Sequence, residues 1–401
     1  MKPSSVAIAL AFLLIAAAQA REPRRDPESG RVRVLYCGDT TRASYAMLVD
    51  PMILPTFVPS ACLTKGEELN RFMRLYMSRT YDQFIEQYDL INLGDQQVDH
   101  FPPKYLHWFA DGVVDEGMGL SMTGGIGGFG GEQSMGISSW EPTPVGEVLP
   151  AQNMQTKTLW RSYKLVVLDP DHPTMKPLPW NTVPMLHGLD IVETKQGART
   201  LARADLPDGH PVMIWWDVGK GRSYGFTSCL GGGWGYDFIK WEYYMDYVDG
   251  YLYFTAGLSV PQDLSLVHAI RNNIKQYKIS KTMTFSLLDF VDKMGANTAR
   301  LEQRISDADG IIASAEAAYI QQSYEESLAR TKEALDNLDA LSRDAMELKD
   351  RTMLWTYTIE WFSVGGVSGL VGWLVYELMI RRRLYRQVES TRLGAGLWKE
   401  S

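Results

Sequence analysis

Short apolar runs alternate with stretches of helical spacing over the first 260 positions of the chain. Apolar runs bounded by glycine or aspartate predict strands at residues 31–37, 52–58, 88–93 and 119–123. Apolar residues at helical spacing, or a pair of prolines suited to a first helical turn, predict helices at 67–79 and 103–114. Strands and helices that alternate with short connections favour a parallel sheet with helices on both faces.

The fourth predicted strand runs into a glycine-rich turn, residues 124–131. Six of these eight residues are glycine, so the backbone can adopt positive φ and approach a neighbouring segment closely. Parallel strands end at one edge of a sheet, which brings this turn towards Asp39 and Asp95, the residues that follow the first and third strands. We therefore predict ligand-binding residues at this edge: Asp39, Thr40, Asp95, Gly124, Gly125, Gly127 and Trp234.

Beyond residue 134 the pattern is less regular. A proline-rich loop is predicted at 140–150, strands at 165–168, 212–217 and 219–229, and a helix rich in tryptophan and tyrosine at 236–258. From Pro261 to Arg351 the composition turns to alanine, leucine, glutamate, lysine and aspartate, which predicts helices broken at Gly295 and Gly310.

The last of these helices carries an apolar seam spaced four and three residues apart. The seam consists of Ala334, Leu338, Leu341, Ala345 and Leu348. About two heptads fit a helical hairpin packed on itself, with an intermolecular coiled coil as the alternative. Neither proline nor glycine lies between Tyr324 and Phe362, so the helix is expected to continue without a break.

A membrane span is predicted at Phe362–Ile380, where the only charge in 19 residues is Glu377. Trp355, Tyr357 and Trp361 precede the run, Trp373 and Tyr376 lie towards its other end, and Arg381–Arg383 follow it at once. By the positive-inside rule the C-terminal tail is cytoplasmic, and a buried helix of a soluble protein is the alternative. Gly365 and Gly369 lie on one helical face, where a second helix can approach for self-association.

The N-terminus predicts export. Lys2, an apolar run and the sequence Ala18-Gln19-Ala20 have the form of a signal peptide, with an uncleaved anchor as the alternative. The predicted organisation is a signal peptide at 1–20, a linker at 21–30, an α/β domain at 31–260, a helical stalk at 261–352, a transmembrane helix at 353–380 and a cytoplasmic tail at 381–401. The localisation that follows is a single-pass type I membrane protein with its large domain extracytoplasmic.

Net charge bears on the kind of partner, and cysteine content bears on disulfide bonds. The 401-residue chain has a formal net charge of −8, which argues against a nucleic-acid partner. It contains three cysteines, so at least one is unpaired; Cys37 and Cys62 are either bridged or buried thiols.

Several motifs together resemble the class I glutamine amidotransferase-like domain family, specifically its branch named putative glutamine amidotransferases. These motifs are Gly38-Asp39, Tyr88–Ile91 before Gly94-Asp95, Met122–Gly131, Thr143–Pro150, Gly219–Arg222 and Thr227-Ser228 through Gly233–Gly235. The resemblance covers roughly residues 31–258 and implies a flavodoxin-like sheet, in agreement with the order of elements given above.

The resemblance also implies a catalytic cysteine in the turn and a histidine in a late His-Trp-Gly motif. In this sequence the turn has glycine at Gly125 and the late motif reads Gly233-Trp234-Gly235. Because the family reaction needs a thiolate and a base to accept its proton, the sequence predicts no amidotransfer and no catalytic residues of that kind. Thr123 lies before the turn and is a poor substitute nucleophile.

Four other interpretations remain open from the sequence. The glycines 125, 127 and 130 match a dinucleotide fingerprint, but no acidic residue is placed for a ribose. Cys229 is either a displaced nucleophile or a packing thiol. A metal site would have to come from residues with no regular ligand spacing: His100, His172, His187, Asp39, Asp95, Asp171 and Asp217. We predict no metal and no cofactor.

The fourth interpretation is enzymatic, a hydrolase that acts on an extracytoplasmic amide, ester or glycan with water and Asp39, Asp95 or His172. The leading hypothesis is instead a membrane-anchored, non-catalytic domain that binds a protein, glycan or small ligand at the sheet edge. An enzyme requires a carboxylate and a histidine or metal within hydrogen-bond reach in one pocket, which distinguishes the two.

Overall fold

The computed structural model describes residues 24–38, 42–59 and 67–396. The predicted signal peptide, Asp39, Thr40, Cys62 and the end of the tail lie outside the described residues. The chain divides into two compact units. One unit ends at Arg271 and also contains Ala315–Leu328, and the other contains Asn272–Ser314 and the chain from Ala329 onward.

Twelve strands occur in the described part of the first unit. They are β1 (Val32–Gly38), β2 (Ile53–Pro59), β3 (Leu90–Gly94), β4 (Gly119–Thr123), β5 (Ala151–Gln152), β6 (Thr158–Leu159), β7 (Leu165–Val167), β8 (Leu189–Asp190), β9 (Glu193–Thr194), β10 (Arg199–Ala204), β11 (Pro211–Val218) and β12 (Gly221–Phe226). Eight of them form one sheet in the order β2-β1-β3-β4-β12-β11-β10-β7, and β5-β9 and β6-β8 form two small pairs.

The predicted parallel sheet is confirmed for five strands. β2, β1, β3, β4 and β12 pair in parallel, in the spatial order of a flavodoxin-like sheet. β11, β10 and β7 extend this sheet with antiparallel pairing. The strands predicted at 212–217 and 219–229 correspond to β11 and β12, which form a hairpin, and the sheet as a whole is mixed but predominantly parallel.

The helices are α1 (Arg42–Val49), α2 (Glu67–Tyr76), α3 (Tyr81–Gln87), α4 (Pro103–Val114), α5 (Pro144–Val148), α6 (Tyr244–Thr255), α7 (Leu264–Lys293), α8 (Ala299–Ile320) and α9 (Tyr324–Gly396). α4 begins and ends where the sequence predicts. α6 begins later than predicted, because residues 233–241 form turns and a short 3-10 helix, Phe238–Lys240.

Both faces of the sheet are covered, as predicted. Ile91 and Leu93 of β3 join an apolar cluster with Phe84 of α3 and Phe109 of α4. The intervening Asn92 points to the opposite face, where its Nδ2 donates to the Tyr251 hydroxyl of α6 at 2.7 Å. Successive side chains of a strand alternate between faces, so this strand contributes to the core on both sides.

The second unit is helical, and the predicted seam is buried within the single chain. Leu341 and Ala345 of α9 pack with Leu288 of α7 and with Leu301 and Ile305 of α8. This arrangement agrees with the helical hairpin and not with a seam left open for another chain.

The two glycines predicted to break the helices behave differently. The break at Gly295 is confirmed, with φ +87 between α7 and α8. The break at Gly310 is wrong, because α8 continues through it; the glycine has open space around it, and one glycine costs a helix only about 1 kcal/mol. The chain reverses instead near Gln322, which has a φ of +61.

α9 continues without interruption into the predicted span. It contains an 18-residue window of mean hydropathy 1.4, of which 0% is buried. Within the described residues it is the helix long and apolar enough to cross a membrane, and exposure of the whole window is unlike the core helix of a soluble protein.

Candidate functional site

The carboxyl ends of the parallel strands meet at one edge, as predicted. Gly38 pairs with Gly94, Gly94 with Thr123, and Thr123 with Phe226. Each of these strands therefore ends in the same layer, and the glycine turn that follows Thr123 lies directly beside Asp95. The nearby Asp39 and Thr40 fall outside the described residues, so their place at this edge remains a prediction.

The turn is held by two aspartate side chains. Asp95 Oδ1 accepts a hydrogen bond from Gly127 N at 2.7 Å, and Asp190 Oδ2 accepts one from Gly125 N at 3.2 Å. Asp95 itself adopts φ +49, an unusual conformation for a residue other than glycine. Gly124, Gly125 and Gly127 are buried. These predicted ligand-binding residues therefore have a structural role, which is to pack the turn against the edge of the sheet.

Gly125 has no room for a side chain. Its φ is +143, and a Cβ atom there would lie 2.1 Å from Cγ of Asp95. The carboxyl group of Asp95 thus fills the space into which a nucleophile at this position would extend. Thr123, the remaining hydroxyl residue at the start of the turn, is buried at the end of β4.

The turn also packs against the chain's own backbone. A Cβ at Gly124 would lie 2.3 Å from the Thr227 carbonyl oxygen, and one at Gly130 would lie 1.9 Å from that of Gln155. In a dinucleotide fingerprint the equivalent glycines leave room for the pyrophosphate. Here that room is taken by protein, which disfavours the dinucleotide interpretation.

Asp190 is a site residue that sequence reasoning missed. It lies in the two-residue strand β8 and is 1% exposed. Burial raises the pKa of its carboxyl well above the usual range, and the carboxylates of Asp95 and Glu132 raise it further, against the hydrogen bond from Gly125. Oδ1 of Asp190 has no hydrogen-bond partner among the described residues, as expected for a group that holds a proton beside a carboxylate.

An open crevice lies next to the buried turn. Its volume is about 610 Å³, and its walls include Ile126 of the turn together with Met135, Thr158 and Trp160. We call it the Trp160 crevice. Glu132, at its rim, accepts hydrogen bonds from Ser134 and Thr158, which lower the pKa of its carboxyl to about 2. The crevice therefore combines apolar walls with a fixed negative charge.

Trp234, another predicted site residue, is buried behind this crevice. Its ring meets that of Trp160 edge-on, with 5.5 Å between centroids. It also lies against Gly188, where a Cβ would come within 2.5 Å of the indole. Trp160 itself is 66% exposed, so Trp234 supports an aromatic surface that Trp160 presents to solvent.

The histidines named in the sequence do not converge. His172 is buried among Thr174, Trp215 and Phe254, and burial lowers its pKa to about 4. Trp215 and Phe254 also contact Arg222, near the start of β12, so His172 lies at the opposite edge of the sheet from the turn. His172 is therefore not a partner for Asp95, which removes it from the hydrolase interpretation.

The other predicted ligands are similarly dispersed. His100 is buried with Nδ1 3.3 Å from Gln96 Oε1. No group of three or more histidine, cysteine, aspartate or glutamate side chains within the described ranges is placed to hold a metal ion. Cys229 is half-buried, and its Sγ accepts a hydrogen bond from Gly231 N at 3.2 Å. Cys37 is buried, which raises the pKa of its thiol; Cys62, its partner in the alternative of a disulfide, lies outside the described residues.

One histidine does meet a carboxylate near this edge. Nε2 of His187 is 3.0 Å from Oδ2 of Asp237, and Nδ1 is 2.8 Å from Oγ of Ser162. The backbone N–H of His187 donates to the Trp234 carbonyl at 2.9 Å. The structure thus places a histidine beside the late motif in which the sequence lacks one, and no short spacing in the sequence signals it.

Part of the chain matches a known protein family. Residues 95–254 match the family described as "Putative glutamine amidotransferase", a stretch that contains the turn, Asp190 and the late motif. No curated protein matches the chain.

Solved structures similar to this chain include two proteins of Salmonella typhimurium. Cytoplasmic protein STM1381, from strain LT2, is 20% identical, with a TM-score of 0.47 over 56% of this chain and 99% of its own. Cytoplasmic protein STM3548 is 17% identical, with a TM-score of 0.48 over 56% of this chain and 99% of its own. A cold-adapted β-galactosidase from Rahnella sp. R3 is 13% identical, with a TM-score of 0.32 over 58% of this chain and 33% of its own.

Proposed function

With residues 95–254 assigned to the glutamine amidotransferase-like family, we propose that this chain is a membrane-anchored binding protein. Its α/β domain stands outside the cytoplasm and captures a protein, glycan or small ligand at the carboxyl edge of the sheet. It does so without transferring ammonia from glutamine.

The observation that carries this proposal is the occupied space at Gly125. Amidotransfer of this class requires a thiolate that attacks the amide carbonyl, and donors that stabilise the resulting oxyanion. A side chain at Gly125 would collide with Asp95. The amides of Gly125 and Gly127 donate to Asp190 and Asp95, so aspartate side chains of the protein occupy the donors that an oxyanion would need.

The Trp160 crevice supports binding at the same edge. A rigid, exposed tryptophan supplies a large contact area at a low cost in conformational entropy, which is why aromatic residues dominate binding surfaces. The edge-on contact with buried Trp234 fixes the orientation of Trp160. A ligand that lies against Trp160 and Ile126 would also meet the Glu132 carboxylate at the rim.

The membrane anchor supports the proposed location. The exposed apolar window of α9 is followed by Arg381, Arg382 and Arg383. Arginines that follow a span directly favour its cytoplasmic side, which would leave the α/β domain on the other side of the membrane.

Capture of the ligand by the full-length chain, solubilised in detergent, tests the proposal. Mass spectrometry of material retained by the wild type is compared with that retained by Trp160→Ala. The matched control is Leu48→Ala, which removes an equally exposed apolar side chain (64%) from α1. We expect Trp160→Ala alone to lose the retained molecule, with an unchanged melting temperature. Equal retention by all three proteins, or no specific retention by any of them, would refute binding at this crevice.

A further inference from the structure

Three polar side chains from separate loops form a hydrogen-bonded chain, and the first of them lies two residues after Trp160 in the sequence. Oγ of Ser162 is 2.8 Å from Nδ1 of His187, and Nε2 of His187 is 3.0 Å from Oδ2 of Asp237. They are 25 and 50 positions apart in sequence. A hydroxyl, an imidazole and a carboxylate in this order are the components of an activated serine nucleophile.

The backbone sets this geometry. Tyr163 and Leu186 form an antiparallel bridge with both of its hydrogen bonds, at 2.9 and 3.0 Å. Ser162 and His187 are the next residues outward on the two segments, so they stand opposite each other, as cross-strand neighbours do. The hydrogen bond from His187 N to the Trp234 carbonyl brings the imidazole to the loop that carries Asp237.

The partners of His187 assign its tautomer. Hydrogen bonds from His187 and from Lys240 lower the pKa of the Asp237 carboxyl, which is therefore an acceptor for the proton on Nε2. Nδ1 is then left with a lone pair that faces the Ser162 hydroxyl. The two ring nitrogens are exchanged relative to the Ser-His-Asp triad of serine proteases, but the lone pair that faces the hydroxyl can accept the proton of the serine in the same way.

We infer that Ser162, His187 and Asp237 form a hydrolytic site for esters with an apolar acyl group. Trp160 precedes Ser162 by two residues, and its ring contacts Trp234, whose carbonyl accepts the N–H of His187. The exposed indole of Trp160 and the apolar side chains of Ile126 and Met135 in the crevice provide a surface for the acyl group.

The reaction has two balanced halves. Oγ of Ser162 bonds to the ester carbonyl carbon, its proton moves to Nδ1 of His187, and the ester C–O bond breaks as His187 returns that proton to the leaving alcohol. Water then attacks the acyl-serine and gives a proton to His187. The bond between the acyl carbon and Oγ breaks, Oγ regains the proton, and a carboxylic acid leaves.

This inference goes beyond ligand capture and does not depend on it. The glycine turn takes no part, and the site holds whether or not the crevice also binds a partner. Ser162 and His187 are the residues that touch the reacting atoms, whereas Asp237 acts through His187 as a positioning residue. Because the Asp237 side chain is 45% exposed, solvent screens its effect on the imidazole, and we expect a smaller loss on its removal than on removal of His187.

The alternative is that Ser162 and His187 form a structural hydrogen bond and catalyse no reaction. Covalent labelling of Ser162 distinguishes this alternative from a hydrolytic site. The detergent-solubilised full-length chain is treated with an alkyl fluorophosphonate, and the adduct is located by peptide mass spectrometry. We expect a single adduct at Ser162, none in Ser162→Ala, and a rate at least about 100-fold lower in His187→Gln. The matched control is Ser138→Ala, because Ser138 is an exposed serine bonded to a carboxylate, Asp99, at 2.8 Å.

The role of Asp237 has its own readout. Asp237→Asn should lower the maximal labelling rate by about tenfold, with the half-saturating probe concentration and the melting temperature unchanged. Asp237→Glu should recover most of that rate. Absence of an adduct at Ser162, or labelling at the wild-type rate in His187→Gln, would overturn the inference. An adduct that Ser138→Ala removes would do the same. It would show that the probe reacts with a serine bonded to Asp99 and does not require the contact with His187.

Discussion

At the scale of single residues, Gly125 and Asp95 compete for the same volume. A Cβ at Gly125 would lie 2.1 Å from Cγ of Asp95, at a φ of +143 that other residues rarely adopt. We therefore expect Gly125→Val to destabilise the α/β domain by at least about 1–3 kcal/mol through backbone strain. Gly232→Ala is the control, because a Cβ there meets nothing within 4 Å and should change stability by less than about 0.5 kcal/mol. If Gly125→Val has the same melting temperature as Gly232→Ala and the wild type, the turn is not tight.

Asp190 gives the site a pH-dependent stability. Burial raises the pKa of its carboxyl, so the folded chain keeps a proton that the unfolded chain releases at about pH 4. The folded state therefore loses stability relative to the unfolded state as pH rises from there towards the folded-state pKa. Asp190→Asn, which cannot ionise, should melt near the wild type at pH 4 and progressively above it towards pH 8. A difference in melting temperature that is constant across this range would contradict the assignment.

The residues that sequence reasoning found and missed differ in one respect. Asp95 follows a predicted strand, so the convergence of parallel strands was enough to place it beside the turn. Asp190, which the sequence did not indicate, and His187, which it indicated only as a possible metal ligand, reach the same edge through short pairings such as β6-β8 and the Tyr163–Leu186 bridge. Two-residue pairings have no periodicity to detect, so the local sequence has no signal for them.

At the scale of elements, periodicity predicted the regular strands and helices. β1, β3, β4, α4 and the uninterrupted α9 follow from apolar runs or helical spacing. The sequence did not predict α1 and α3, each of eight residues or fewer, because one or two turns show too little of a helical pattern. Gly310 was misread because an exposed glycine with space around it costs a helix little.

Arg271, on α7, makes the clearest prediction at this scale. Its guanidinium is 9% exposed and lies 3.1 Å from Asp246 and 3.0 Å from Asp249, and it also pairs with Asp50. Arg271→Met would remove the cation that Asp50 and Asp249 share and would leave Asp246 only its contact with His268, which should cost about 3–5 kcal/mol. Lys293→Met, which breaks an exposed pair with Asp289, should cost less than about 1 kcal/mol. Chemical denaturation that gives equal losses for the two variants would refute a stabilising role for the buried cluster.

At the scale of the whole molecule, the proposed topology determines which parts of the chain a protease can reach. A protease added outside intact spheroplasts should digest the α/β domain and the helices up to Arg351. The tail beyond Arg381 should be spared, because positive charge after a span favours the cytoplasm. Antibodies against each end, with spheroplasts lysed before digestion as the control, distinguish the fragments. Protection of the α/β domain in intact spheroplasts would reverse the proposed orientation.

The proposed function depends most on the claim that the glycine turn performs no amidotransfer. The reason is that the Asp95 side chain occupies the space a nucleophile at Gly125 would need. The most direct test of this claim is the release of ammonia from glutamine by the purified full-length chain in detergent, compared with the Ser162→Ala variant. We predict that neither protein releases ammonia above the level of a heat-inactivated sample. Sustained release by both proteins would show that the chain hydrolyses glutamine without Ser162 and would contradict the proposal.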